Sequence, residues 1–366
     1  MTSTLTRSIL LVGSWQWPWY HAACAQALTE FGCHVHRFSW HERFCTWKEE
    51  RPEPVYSSIL KRLEARFLVG PTMLRINLDL IRKARELRPE VVWFYNSTHI
   101  FPETLRALRA LLPHSQFAQY ANDNPFVSPV RPDYWRHFKK SVPLCDIVFA
   151  YRHSDLKKLT AIGARNVALL RSYYIPHEDR RSEPNASESH LRSDVVFAGH
   201  YEADGRLEAL ETIAGSWRLR LFGGGWARYA NIAGSSPLAG QSPIAPVLGD
   251  GYRKAISGAK IALCFLSKTN RDTYTRRNFQ IPAMGTFMLS EYSEDLGELF
   301  VEGKEAEYFR SLDELIDKVR FYLANEDARQ RIAAAGHARV QRDGHDVSSR
   351  MRSFLQRLAE TGSALT

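Results

Sequence analysis

A chain of 366 residues with 44% hydrophobic and 12% aromatic side chains is long and apolar enough to bury two cores. Its formal charge of +9 sits wholly in the first half: residues 1–180 carry 25 Lys and Arg against 16 Asp and Glu, and residues 181–366 carry 24 of each. No run approaches the roughly 20 apolar residues of a membrane span, the opening MTSTLTRSILLVG is too short for a secretory signal, and an odd set of cysteines (Cys24, Cys33, Cys45, Cys145, Cys264) suits packed, reduced thiols better than a disulfide framework. A cytoplasmic protein is expected. Its basic half would face something anionic, such as a membrane surface, a phosphorylated acceptor or nucleic acid, or would be only a solvated face.

Short β-rich runs alternate with helical patterns along the chain. Strands are predicted at Ser8–Gly13, His34–Ser39, Val91–Asn96, Gln116–Ala121, Asp146–Tyr151 and Val167–Ser172, with helices at Trp19–Phe31, Ser57–Leu87, Pro102–Leu112 and His153–Ile162. That is a parallel α/β sheet. The stretch PHEDRRSEPNASESHLRS (Pro176–Ser193) then has the polar, Pro/Ser-rich composition of a linker. The pattern restarts with strands at Asp194–Gly199, Arg218–Gly223, Lys260–Phe265, Thr286–Glu291 and Ala306–Ser311. Helices fall near Asp204–Ala214, Gly251–Ser257, Arg276–Met284 and Leu312–Asn325, and two amphipathic patterns, Glu326–Arg342 and Asp346–Glu360, follow. The predicted fold class is α/β: two Rossmann-like, doubly wound parallel-sheet domains facing a cleft. Ligands of such sheets bind beyond the carboxyl ends of the strands, so strand-to-helix junctions are where chemistry is sought.

One junction puts Thr275, Arg276 and Arg277 in the first turn of a helix. Arginine is disfavoured at a helix N-terminus unless an anion is present, because that end already carries partial positive charge. Free N–H groups and guanidinium forks there suit a phosphate or diphosphate; the other reading pairs both arginines with acids such as Asp272 or lays them on a surface. The junction VVFAGHYEADGRLEAL adds Gly199 and Arg206, and LFGGGW offers Gly223, Gly224, Gly225 and Trp226, either a turn or a pocket for a flat ring. GxGxxG and P-loop spacings are missing. In the first half, GSWQWPWYH places Trp15, Trp17, Trp19, Tyr20 and His21 in one loop and helix start. Those aromatics would stack on a sugar, lie at a membrane interface or pack as ordinary bulk. His21, His99 and Asp123 are the general-base candidates at strand ends, each also readable as a structural residue. The run CHVHRFSWHERFC lacks ligand-pair spacing for zinc, and no DxD is present, so no metal is expected.

At these residues a resemblance enters. DVVFAG followed by Arg206, LFGGGW, YRKAISGAKIALCFL, RDTYTRRNFQIPAMGTFMLSEYSEDLGELFVEGKEAEYF and SLDELIDKVRFYLANEDARQRIAAAGHARV together resemble the glycosyltransferases of the spore-maturation-protein CgeB type, within the GT-B superfamily. The resemblance covers about residues 194–345 and extends weakly, through YANDNP, over the first half. It implies a nucleotide-diphospho-sugar donor on the second domain, with Arg206, Arg276 and Arg277 on the diphosphate, Gly199 giving it room and Gly223–Trp226 bordering the base. It also implies an acceptor on the first domain and no required cofactor or metal. Relatives usually show FEIPA where this chain has Phe279–Ala283, FQIPA; their Glu bonds the donor ribose, and Gln280 keeps an acceptor oxygen without the charge. The implied domains are 1–180, a linker at 181–193, 194–345, and a helix in 346–366 crossing back to the first domain. The expected partners are a nucleotide sugar and a glycan, lipid-linked or other anionic acceptor, with peripheral membrane contact through the basic half and no nucleic acid. An epimerase or hydrolase of the same fold and a non-catalytic nucleotide- or nucleic-acid-binding protein are the alternatives.

Overall fold

The computed structural model describes residues 7–48, 51–56, 58–127 and 133–363. Residues 1–6 of the opening, Ser57 at the head of the long predicted helix, and residues 364–366 lie outside the described residues. Two compact units appear: one is the chain up to Arg171 together with the stretch from Val347, the other is Ser172–Asp346.

The first unit runs β1 (Ser8–Gly13), α1 (His21–Glu30), β2 (His34–Ser39), β3 (Cys45–Lys48), β4 (Arg51–Tyr56), α2 (Ile59–Phe67), α3 (Pro71–Leu87), β5 (Val91–Tyr95), α4 (Pro102–Leu111), β6 (Gln116–Ala121), α5 (Arg136–Ser141), β7 (Ile147–Ala150), α6 (His153–Ala161) and β8 (Val167–Leu169). Its main sheet is parallel, in the order β2-β1-β5-β6-β7-β8. Every residue of β5 (VVWFY) is buried, because a central parallel strand is covered on both faces; β2 at the edge buries only Phe38 and tolerates His34, His36 and Arg37. The predicted Ser57–Leu87 helix is broken in two. Leu68 turns left-handed (φ 51°), Gly70 follows at φ 124°, and Pro71 opens the next helix, a stop and restart that Gly-Pro writes into the sequence. β3 and β4 pair as an antiparallel ribbon. Pro52 and Pro54, which lack a donor N–H, hide β4 from a propensity reading.

The second unit runs β9 (Ser193–Ala198), α7 (Arg206–Ala214), β10 (Leu219–Phe222), α8 (Trp226–Tyr229), α9 (Gly249–Ser257), β11 (Ala259–Cys264), α10 (Arg277–Ala283), β12 (Phe287–Glu291), α11 (Glu294–Leu299), β13 (Glu307–Phe309), α12 (Leu312–Ala324) and α13 (Glu326–Arg342). Its sheet is parallel too, ordered β10-β9-β11-β12-β13. In both sheets the strand order reverses beside the first strand, between β1 and β5 and between β9 and β11, and those are the switch points where crevices form.

The polar stretch read as a linker is tied into this second unit. Asn185 and Glu188 form a reciprocal capping box, Glu188 pairs with Lys254 at 2.6 Å, and Ser182 donates its amide to Ser257 Oγ. Its polar residues are caps and ion-pair partners, which composition alone does not distinguish from solvated chain.

The last helix, α14 (Val347–Ser363), belongs to the first unit. Met351, Phe354 and Leu358 are fully buried; Phe354 lies 4.3 Å from the Trp93 ring, Gln116 donates to the Leu358 carbonyl at 2.8 Å, and Arg352 stacks over Phe31 of the α1 C-terminus. The predicted return of this helix is observed. All five cysteines are free and buried. Among the described residues no helix is long and apolar enough to cross a membrane.

Candidate functional site

The second unit's switch point is bounded by the loops that leave β9 and β11. Gly199, one residue past β9, donates its amide to Phe222 O, and its carbonyl accepts from the indole N–H of Trp226 at 2.8 Å. Gly223, at φ 147°, lies against it: a Cβ on Gly223 would stand 1.8 Å from the Gly199 carbonyl oxygen. Gly224 faces the His200 ring and Gly225 (φ 85°) opens α8. Gly223 therefore lets two strand-end loops touch backbone to backbone. Trp226 does not border a base pocket. It is fully buried among Phe197, Tyr201 and the unit's core, where its N–H is satisfied by Gly199.

Arg206 is likewise committed. It is 3% exposed, and its fork grips Asp204 with Nε at 2.8 Å and Nη2 at 2.6 Å while Nη1 donates to His200 O at 2.7 Å. Nη2 also reaches Leu266 O across the switch point at 3.4 Å. Its charge is neutralised and its geometry fixes the 199–205 loop, so it stands behind the rim, with its cation already spent on Asp204.

The paired arginines divide. Arg276 Nη2 binds Asp179 at 2.9 Å and its Nε donates to Tyr173 O. Asp179, buried, also accepts from Gln280 Nε2 at 2.7 Å and from the Ile175 amide, and Tyr252 Oη donates to Gln280 Oε1 at 3.3 Å. Gln280 is thus one member of a chain Arg276–Asp179–Gln280–Tyr252. Asp179 escaped the sequence reading because it lies in the stretch taken for a linker. Arg277 has no such acid: among the described residues it makes no ion pair, and its Nε is buried without a hydrogen-bond partner. Burial works against its charge, yet Cys264, Tyr252 and, more weakly, the Asp272 carboxylate raise its pKa on balance, so it stays a cation. Thr275 is buried with its amide held by Asn278 Oδ1 at 2.8 Å, so the first turn of α10 satisfies part of its own need. His200, not singled out from the sequence, joins this edge: loss of solvent first, then the charges of Arg277 and Arg206, hold its pKa below the ordinary histidine value. It is neutral at pH 7. A cavity of about 550 Å³, lined by Arg181, Arg192, Arg218 and Lys260, opens at the amino ends of β9, β11 and β12, the opposite end of the sheet, so the strand geometry is what locates this edge.

In the first unit the residues sought for acceptor binding and proton transfer gather at the carboxyl ends of three adjacent strands. Trp15 (φ 56°), Trp17, Trp19 and Tyr20 are all partly exposed; Trp17 stacks on Trp19 at 4.8 Å, and Arg37 lies over the Trp15 ring. His21 is only 2% exposed, packed between Trp15 and Tyr95 (4.3 Å), with both ring nitrogens lacking a hydrogen-bond partner. A Cβ on Gly13 would collide with its Nε2 at 2.0 Å. Burial, reinforced by Arg37, lowers its pKa to about 3 against a weaker opposing effect from the Tyr95 backbone. His99 is a packing residue: it stacks flat on Trp40 at 3.8 Å and its Nδ1 meets Thr98 Oγ1. Asp123, past β6, is exposed, and Asn96 (φ 49°) donates to its Oδ2 at 3.3 Å.

Two parallel, doubly wound units with the last helix returned to the first unit define the class: this is the GT-B fold. Residues 206–356 match the family described as glycosyl transferase-like. Comparison with curated proteins finds no match. Among solved structures the chain is similar to HepE of Anabaena in complex with UDP-glucose (TM-score 0.64, 12% identity, 97% of this chain and 100% of that one). It is also similar to sucrose-phosphate synthase of Thermosynechococcus elongatus (TM-score 0.65, 12% identity, 98% and 100%). A UDP-N-acetylglucosamine 2-epimerase described for Listeria monocytogenes follows at TM-score 0.56 and 12% identity, over 96% and 95%.

Proposed function

We propose that this protein is a CgeB-type glycosyltransferase that moves a sugar from a nucleotide-diphospho-sugar to an acceptor hydroxyl, in the synthesis of a surface polysaccharide or glycoconjugate. The observation that carries the reading is Arg277. A guanidinium that makes no ion pair among the described residues, at the switch point and beside neutral His200, is a stored positive charge awaiting an anion. The UDP-glucose complex of HepE favours a uridine donor. Arg276 would act after exchanging Asp179 for phosphate, or would hold Gln280 in place. No metal is invoked, because Arg277 would supply the positive charge that the leaving diphosphate needs.

The acceptor, glycan, lipid-linked or otherwise anionic, would bind near the Trp15–Tyr20 loop. Its hydroxyl oxygen attacks the anomeric carbon, the bond to the diphosphate oxygen breaks, and the proton passes to a base. Asp123 is the better base of the two candidates, being exposed, whereas His21 is enclosed and binds a proton weakly.

Calorimetric titration with UDP, GDP, CDP and dTDP, with chelator present, tests the reading. One nucleotide family should bind, and Arg277→Ala should weaken it by about 1–3 kcal/mol, roughly 5- to 150-fold. Equal affinity in the variant refutes the role of Arg277. Turnover of the donor without acceptor would move the assignment to an epimerase or hydrolase, and binding of bulk nucleic acid without any nucleotide response would move it to a binding protein.

A further inference from the structure

Helix α2 is built inside out. On Ile59–Phe67 the apolar residues Ile59, Leu60, Leu63 and Phe67 form one stripe about 100° wide, yet they face solvent, Ile59 at 80% and Leu60 at 60% exposure. The residue turned inward is its one acid, Glu64, which is buried and accepts the Thr72 amide at the start of α3. The orientation is fixed at both ends. Ser58 caps the first turn through the Lys61 amide, and Arg136 and His137 of α5 hold the Phe67 and Leu68 carbonyls. Val69, Leu74 and Leu78 extend the apolar surface of the same hairpin. Seven of the twelve large hydrophobic side chains exposed among the described residues therefore fall within residues 59–78.

The flanking charge is of one sign. Lys61, Arg62, Arg66 and Arg75 accompany the stripe, and among the described residues none of the four is ion-paired, while Glu64 is withdrawn into the fold. An aliphatic stripe bordered by unpaired cations, with no exposed acid on the helix, is complementary to an anionic lipid surface: side chains enter the acyl boundary and the cations meet headgroups. We propose that α2, with the start of α3, docks this protein on the surface of an anionic bilayer. The inference deepens the acceptor side of the proposed function, since an interfacial enzyme reaches an acceptor held in that surface; the docking itself stands on α2 alone.

The test is flotation of the full-length protein with phosphatidylcholine vesicles, with and without phosphatidylglycerol, which needs neither nucleotide nor acceptor. The wild type should float with the anionic vesicles, and binding should fall about tenfold or more in Leu60→Ser/Leu63→Ser/Phe67→Ser and in Arg62→Glu/Arg66→Glu. These positions are exposed, so the unfolding midpoint and nucleotide titration should be unchanged and serve as the folding control. Failure of the wild type to float, or flotation indifferent to the apolar variant, overturns the proposal. So does a dimer, seen by light scattering, that the apolar variant dissolves, which would make a second copy the occupant. Loss of nucleotide binding with flotation intact would sink the donor reading and leave the docking standing.

Discussion

Replacing His21 by Gln should make the first unit less sensitive to acid. Unfolded, a histidine accepts a proton near pH 6.5; folded, His21 refuses one until about pH 3, because the Trp15–Tyr95 sandwich and Arg37 penalise its charge. Above pH 6.5 both states are neutral and the fold is unaffected. As pH drops, the unfolded state gains a proton that the folded state cannot, so stability falls by about 1.4 kcal/mol per pH unit, at most about 4–5 kcal/mol across the window. Urea unfolding at pH 7, 6, 5 and 4.5 reads this, followed by tryptophan fluorescence, since Trp15, Trp17, Trp19, Trp40, Trp47, Trp93 and Trp135 all lie in the first unit. The variant will start lower, having lost ring packing, but its slope against pH should be shallower by about one proton below pH 6.5. Parallel slopes refute the argument, and with it the claim that His21 is neutral and enclosed.

Gly223→Ala should cost the second unit on the order of 3 kcal/mol or more, because its methyl group would meet the Gly199 carbonyl at 1.8 Å, and should abolish nucleotide binding. Gly205→Ala, with open space around it, should cost only about 1 kcal/mol in the same unfolding measurement. A double-mutant cycle of Asp179→Asn and Arg276→Met should return a coupling of about 1–3 kcal/mol. A value near zero would mean that their 2.9 Å contact is not maintained in solution.

Strand placement was legible because parallel strands buried on both faces write continuous apolar runs: VVWFY and IVFA announce themselves. Helix ends were legible where punctuation was local, and Leu68-Val69-Gly70-Pro71 shows what is lost when a long amphipathic period is trusted over a Gly-Pro pair. The site was harder to read. That Arg276 and Arg277 have different fates depends on Asp179, about a hundred residues away and visible only once folded. Arg206 and Trp226 carry residue types suited to ligands, yet Asp204 and the Gly199 carbonyl had already claimed them. His99 shows the same for proton chemistry, since its partner Trp40 comes from a different strand end. Sequence gives the chemistry a side chain is capable of; the fold decides which of those groups remain uncommitted.

The return of α14 to the first unit also sets an order of events during synthesis. When Arg171 has left the ribosome, the surfaces of Trp93, Phe149 and Gln116 that Phe354 and Leu358 will cover are still open. They stay so while about 175 further residues are made, about 10–35 s at ordinary elongation rates. The second unit can close around its own sheet in that interval, whereas the first is finished only when α14 is made. The half translated first is thus the half completed last, and it is the one that a holding chaperone would meet with an aromatic face exposed.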